Sequence, residues 1–130
     1  MCPAKKQKKH IHLLLIDDDP NMQRMITLFL QKEPIRLDAV GNGRMALQKL
    51  QENRYDVIIS DMQMPLMSGL ELLQKIRELK IKTPVIIISA YAEDLLQEKM
   101  DSVDVFATLS KPFDSKILKS LIERAYKSKR

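Results

Sequence analysis

Short apolar runs alternate along the chain with stretches in which apolar residues recur at threes and fours. The runs are His12-Leu13-Leu14-Leu15-Ile16, Arg36-Leu37-Asp38-Ala39-Val40, Val57-Ile58-Ile59-Ser60, Val85-Ile86-Ile87-Ile88-Ser89 and Val105-Phe106-Ala107-Thr108-Leu109. Continuous β-branched runs of this length suit strands buried on both faces of a parallel sheet. The second run is more polar and belongs near a sheet edge.

The intervening stretches predict helices. Asp19-Pro20 opens the first: Asp19 can cap free amides, Pro20 suits the first turn, and Pro34 stops the helix. Met22, Met25, Ile26, Phe29 and Leu30 supply its apolar stripe. Further helices are predicted over Gly43–Gln51, Ser68–Leu79, Glu93–Met100 and Ser115–Tyr126, with Ser68 and either Asp114 or Ser115 as caps. Five alternations of strand and helix predict right-handed crossovers and helices on both faces of a parallel sheet. In such folds chemistry gathers beyond the carboxyl ends of the strands.

Composition narrows the class. At 130 residues, with 45% hydrophobic and 30% charged, the chain fits one globular domain. The formal charge of +5 is concentrated at the two ends. Residues 1–10 read as a basic N-terminal extension, 11–126 as the folded domain and 127–130 as a basic tail. The basic ends read as solvated and frayed, because no aromatic residues are interleaved with their lysines to stack on bases. Nucleic-acid and membrane contacts are therefore not expected of this domain. The longest apolar runs are far too short to span a bilayer, and the lone Cys2 suits a reducing cytoplasm.

The polar residues that close the runs carry the chemistry. Strand one ends in Asp17-Asp18-Asp19, strand three in Ser60-Asp61, strand four in Ser89-Ala90 and strand five in Ser110-Lys111-Pro112. If these ends share a rim, Asp17, Asp18, Asp61, Ser89 and Lys111 converge. Carboxylates forced together repel, and one is driven toward its protonated form. A divalent cation removes that conflict, and magnesium prefers carboxylate, water and phosphate oxygens. Lys111 adds a cation for another anionic oxygen and Ser89 adds a hydroxyl donor. The set forms a cradle for a phosphoryl group, with the Asp61 carboxylate as nucleophile.

Four segments resemble the response-regulator receiver family of two-component signalling: residues 14–20, 56–71, 84–90 and Lys111-Pro112-Phe113. The second is the most specific, with Asp61, a proline four residues later and a glycine four beyond that. The resemblance implies a flavodoxin-like doubly wound (βα)5 fold with strand order 2-1-3-4-5. It implies that Asp61 accepts the phosphoryl group. It also implies that Asp17, Asp18, Asp61 and the backbone carbonyl of Gln63 hold Mg2+ or Mn2+, and that Ser89 and Lys111 contact the phosphoryl group. The Lys111–Pro112 bond is implied to be cis.

The implied donor is a histidine kinase or histidine phosphotransfer protein. The implied output is a partner or output domain reached through the fourth helix, strand five and the fifth helix, with a homodimer left open. The chain is not expected to be a turnover enzyme, only to acquire the group and lose it to water. Thr108 stands three residues before Lys111, where the family often has an aromatic switch residue. Tyr91 or Phe106 can take the ring's part, and Gln63 and Tyr91 flank the site to tune its hydrolysis.

Three other readings compete. A magnesium-dependent phosphatase would use Asp17 as nucleophile with Asp19 two residues on. A docking module would work without phosphorylation. The basic ends would serve direct nucleic-acid binding.

Overall fold

The computed structural model describes residues 10–90 and 104–128. Within them lie strands β1 (Ile11–Ile16), β2 (Ile35–Val40), β3 (Val57–Asp61), β4 (Val85–Ser89) and β5 (Ala107–Ser110). The described helices are α1 (Pro20–Leu30), α2 (Gly43–Glu52), α3 (Gly69–Glu78) and α4 (Ser115–Ser128). The helix expected over Glu93–Met100 lies outside the described residues. All strand pairings are parallel, in the order β2-β1-β3-β4-β5. The fold is thus the flavodoxin-like doubly wound sheet.

Alternate residues of each central strand feed two cores. Leu14, Ile16, Ile58 and Ile87 pack with Ala46 and Leu50 of α2 and with Leu72, Leu73 and Ile76 of α3. Leu13, Leu15, Ile59, Ile86 and Ile88 pack with Ile26 and Leu30 of α1 and with Leu118 and Ile122 of α4. A strand covered on both faces has no solvent side, so its sequence does not alternate. The polar second run forms β2, an edge strand.

Local chemistry sets the helix ends. Asp19 accepts the amide of Asn21 at the start of α1, whose first residue is Pro20. Ser68 and Glu71 form a reciprocal capping box on α3. Asp114, rather than Ser115, accepts the Lys116 amide at the start of α4.

Several boundaries differ from expectation, and α4 runs to Ser128, two residues into the stretch expected as a basic tail. Helix α1 ends at Leu30, well before Pro34, whose carbonyl instead accepts the Ile11 amide beside β2. β5 starts at Ala107 rather than Val105, its first residue pairing with Ile86 of β4.

Because the strands are parallel, their carboxyl ends share one rim. The chain runs from β1 outward to β2 and then returns to β3 on the other side of β1. The crevice at this reversal lies between the ends of β1 and β3.

Candidate functional site

Register brings the acidic residues together. Ile16 pairs with Ser60, so Asp17 and Asp61 leave adjacent strands at the same level. Asp61 pairs with Ile88, and Ser89 with Ser110, which puts Ser89 and Lys111 along the same rim. The Lys111 amide donates to the Ser89 carbonyl at 3.0 Å, and the Lys111–Pro112 peptide is cis. Lys111 Nζ lies 3.0 Å from Asp61 Oδ1. Carboxylate oxygens of Asp17, Asp18 and Asp61 all lie within 4.8 Å of one another. Asp17, Asp61 and Ser89 are buried, whereas Asp18 is exposed.

Burial dominates the electrostatics. It pushes Asp17 up to about 6, against the amide of Asp19 donated to Oδ1 at 2.9 Å; the charge of Asp61 pushes the same way as burial, Lys111 opposes it, and Asp18 adds a smaller upward push. Asp61 is also raised by burial, but its hydrogen bond and charge pairing with Lys111 pull it back toward the carboxylate form. A divalent cation would relieve this repulsion, and three carboxylates are hard oxygen donors. The residues fit such a group.

The loop after Asp61 is closed on itself. The Gly69 amide donates to the Met62 carbonyl at 2.8 Å, and Met62 N–H donates to Ile88 O. A Cβ on Gly69 would stand 2.5 Å from the Asp61 carbonyl oxygen, so glycine is what lets α3 begin directly against the end of β3. This gives a physical reason for the glycine eight residues beyond Asp61. Gln63 is exposed at the start of this loop.

The remaining candidates are dispersed. Asp19 caps α1 and donates its amide to Asp17, and its carboxylate is not among the three that group together. Thr108 is half-buried opposite Ile87 on β5. Phe106 donates its amide to Val85 O, at the opposite end of β4 from Ser89. Four residues of strand span roughly 13 Å. Phe106, expected as a substitute for the missing ring, thus stands at the far end of β4 from Ser89 and is half-buried against the second core cluster. Tyr91 lies outside the described residues.

One residue of the site escapes a reading by hydrophobic spacing. The Gln23 side-chain amide, on the first turn of α1, donates to Asp17 O at 2.7 Å and to Val40 O at 3.0 Å. The only sequence signal is a polar residue among the methionines of the α1 stripe.

Comparison with known proteins shows the family and the fold. The response regulator receiver domain profile matches residues 13–123, and the chain belongs to that family. Regulatory protein AtoC of Escherichia coli (strain K12) is 32% identical over 113 residues, covering 87% of this chain and 24% of that protein. The receiver domain of a Francisella response regulator superposes with a TM-score of 0.84 at 30% identity, covering 91% of this chain and 98% of that one. The receiver domain of a sensor histidine kinase from Pseudomonas aeruginosa PAO1, solved with magnesium coordinated in its active-site cleft, gives a TM-score of 0.83 at 27% identity, covering 92% and 99%. The chain spans from about a quarter to about half the length of the curated relatives it matches. Among the described residues, no helix is long and apolar enough to cross a membrane.

Proposed function

We propose that this receiver domain takes a phosphoryl group onto Asp61 from the histidine of a kinase or phosphotransfer protein and uses the modified site to bias a partner or output domain. The observation that carries the proposal is the buried Asp61 carboxylate, 3.0 Å from the Lys111 ammonium and grouped with Asp17 and Asp18.

Asp17, Asp18 and Asp61 would hold magnesium or manganese, with the Gln63 carbonyl as a further oxygen. Bound there, the cation supplies charge neutralisation for the incoming phosphoryl oxygens. Lys111 holds Asp61 Oδ1 and favours the ionised carboxylate, against the burial that raises it. A carboxylate oxygen of Asp61 attacks phosphorus in line. A P–O bond forms, the bond from phosphorus to the donor nitrogen breaks, and the nitrogen keeps that electron pair. The products are an acyl phosphate and a neutral imidazole.

The new group adds charge and strong acceptor oxygens. Ser89 and Lys111 would move to satisfy them, which pulls the ends of β4 and β5 and shifts the population of the surface they support. Thr108 lies on β5 opposite Ile87, and Gln63, at the start of the loop after Asp61, tunes attack by water.

Beryllofluoride, a phosphoryl mimic, tests the reading. With magnesium it shifts the amide resonances of Asp61, Ser89 and Lys111 in the wild-type chain and not in Asp61→Asn. Unchanged wild-type resonances would refute the proposal.

A further inference from the structure

Resting on that reading of the acidic cluster, we infer that Gln23 is a positioning residue for the metal site, acting through the peptide that joins Asp17 to Asp18. Both protons of one amide nitrogen are used. One goes to the Asp17 carbonyl at 2.7 Å and the other to the Val40 carbonyl at 3.0 Å.

The Asp17 carbonyl belongs to the rigid peptide plane from which Asp18 departs. Rotating that plane would swing the Asp18 carboxylate, which is exposed and is not anchored by strand pairing. β1 ends at Ile16, so the Asp17 carbonyl lies past the ladder and needs another donor. Gln23 supplies it.

The same side chain ties the ends of two strands. Asp17 N–H donates to Val40 O at 3.1 Å, and Gln23 reaches that oxygen too. Gln23 is itself fixed on the helix: its backbone amide donates to Asp19 O, and its carbonyl accepts the Thr27 hydroxyl at 2.7 Å. Asp17 is thus held at its amide by Val40, at its carbonyl by Gln23 and at its carboxylate by the Asp19 amide. Fixed ligands need no reordering when a cation arrives, and outer groups that orient ligands weaken metal binding when removed.

Two variants separate positioning from charge. Gln23→Met keeps an unbranched chain of similar length without donors. Gln23→Glu keeps the shape but turns a carboxylate toward two carbonyl oxygens while adding a negative charge near the cluster. Magnesium is titrated with no phosphodonor present. Binding is read from the amide resonances of Asp17, Asp18 and Asp61, which report on folded molecules only.

The expected result is about 10-fold weaker magnesium binding in both variants, with resonances of β3 and β4 away from the rim unchanged. A Gln23→Met chain that binds within two-fold of wild type overturns the inference, as does a Gln23→Glu chain that binds more tightly. A wild-type chain that binds no magnesium overturns the reading of the acidic cluster itself and the inference with it.

Discussion

Gly69 stands so close to Asp61 that a Cβ at Gly69 would lie 2.5 Å from the Asp61 carbonyl oxygen and 3.0 Å from Met62 Cα. These are backbone atoms, so no rotamer change makes room. Gly69→Ala must push the start of α3 away from the end of β3 or shift Asp61 itself. Overpacking of this kind costs roughly 1–3 kcal/mol. We expect urea unfolding to show that loss, together with slower labelling of Asp61 by acetyl phosphate. Wild-type stability in Gly69→Ala would mean the contact is looser than the geometry states.

The raised Asp17 makes metal-free stability depend on pH. The folded form holds its proton up to about pH 6, against an ordinary value of 3.8. Between these values the folded state binds more protons than the unfolded state, so this group makes stability fall as pH rises from about 4 through 6. The full difference is on the order of 3 kcal/mol. Asn at this position keeps an oxygen to accept the Asp19 amide but does not titrate. Relative to wild type in chelator, Asp17→Asn should gain stability as pH rises across this window, and it should lose the stabilisation that magnesium gives wild type. Urea midpoints at several pH values, with and without magnesium, decide it. A wild-type-to-variant difference that is flat with pH would contradict the account.

Lys80 carries a strain unrelated to the site. Its φ is 67°, in the left-handed region, just past the end of α3. Its amide donates to Arg77 O, and the Ile81 amide donates to Ile76 O, the two bonds of a Schellman cap. Lys80 is exposed, so its side chain buries little in exchange. Lys80→Gly should raise stability by about 1 kcal/mol, a rise in Tm of about 4 °C for a domain of this size. A lower melting temperature would show that the lysine stem makes a compensating contact.

Much of this arrangement was legible in the chain. Runs such as Leu13 to Ile16 and Val85 to Ile88 have no polar side because both faces of each strand are covered. That feature gives away a parallel sheet. Asp17, Asp61 and Lys111 stand at strand ends, and parallel strands share a rim, so their meeting followed from the order of elements.

What was hidden depends on three-dimensional fit. Gln23 looks like any polar residue on a helix until its amide is seen spanning two carbonyls. Phe106 looks like part of β5, but register sets it at the far end from Ser89. The Arg77 guanidinium donates to the carbonyls of Ile81, Thr83 and Asp104 and ties the turn after α3 to the approach to β5. The triad of Tyr55, Asp38 and His12 joins three segments at the other end of the sheet, with Tyr55 donating to Asp38 at 2.6 Å. Spacing along one element carries no trace of such cross-element bonds.

Intact mass after incubation with acetyl phosphate and magnesium tests the central claim most directly. The account predicts a gain of one phosphoryl group in the wild-type chain, none in Asp61→Asn, and none in wild type when a chelator removes the metal. A wild-type chain that gains nothing, or an Asp61→Asn chain that is labelled like wild type, would contradict it.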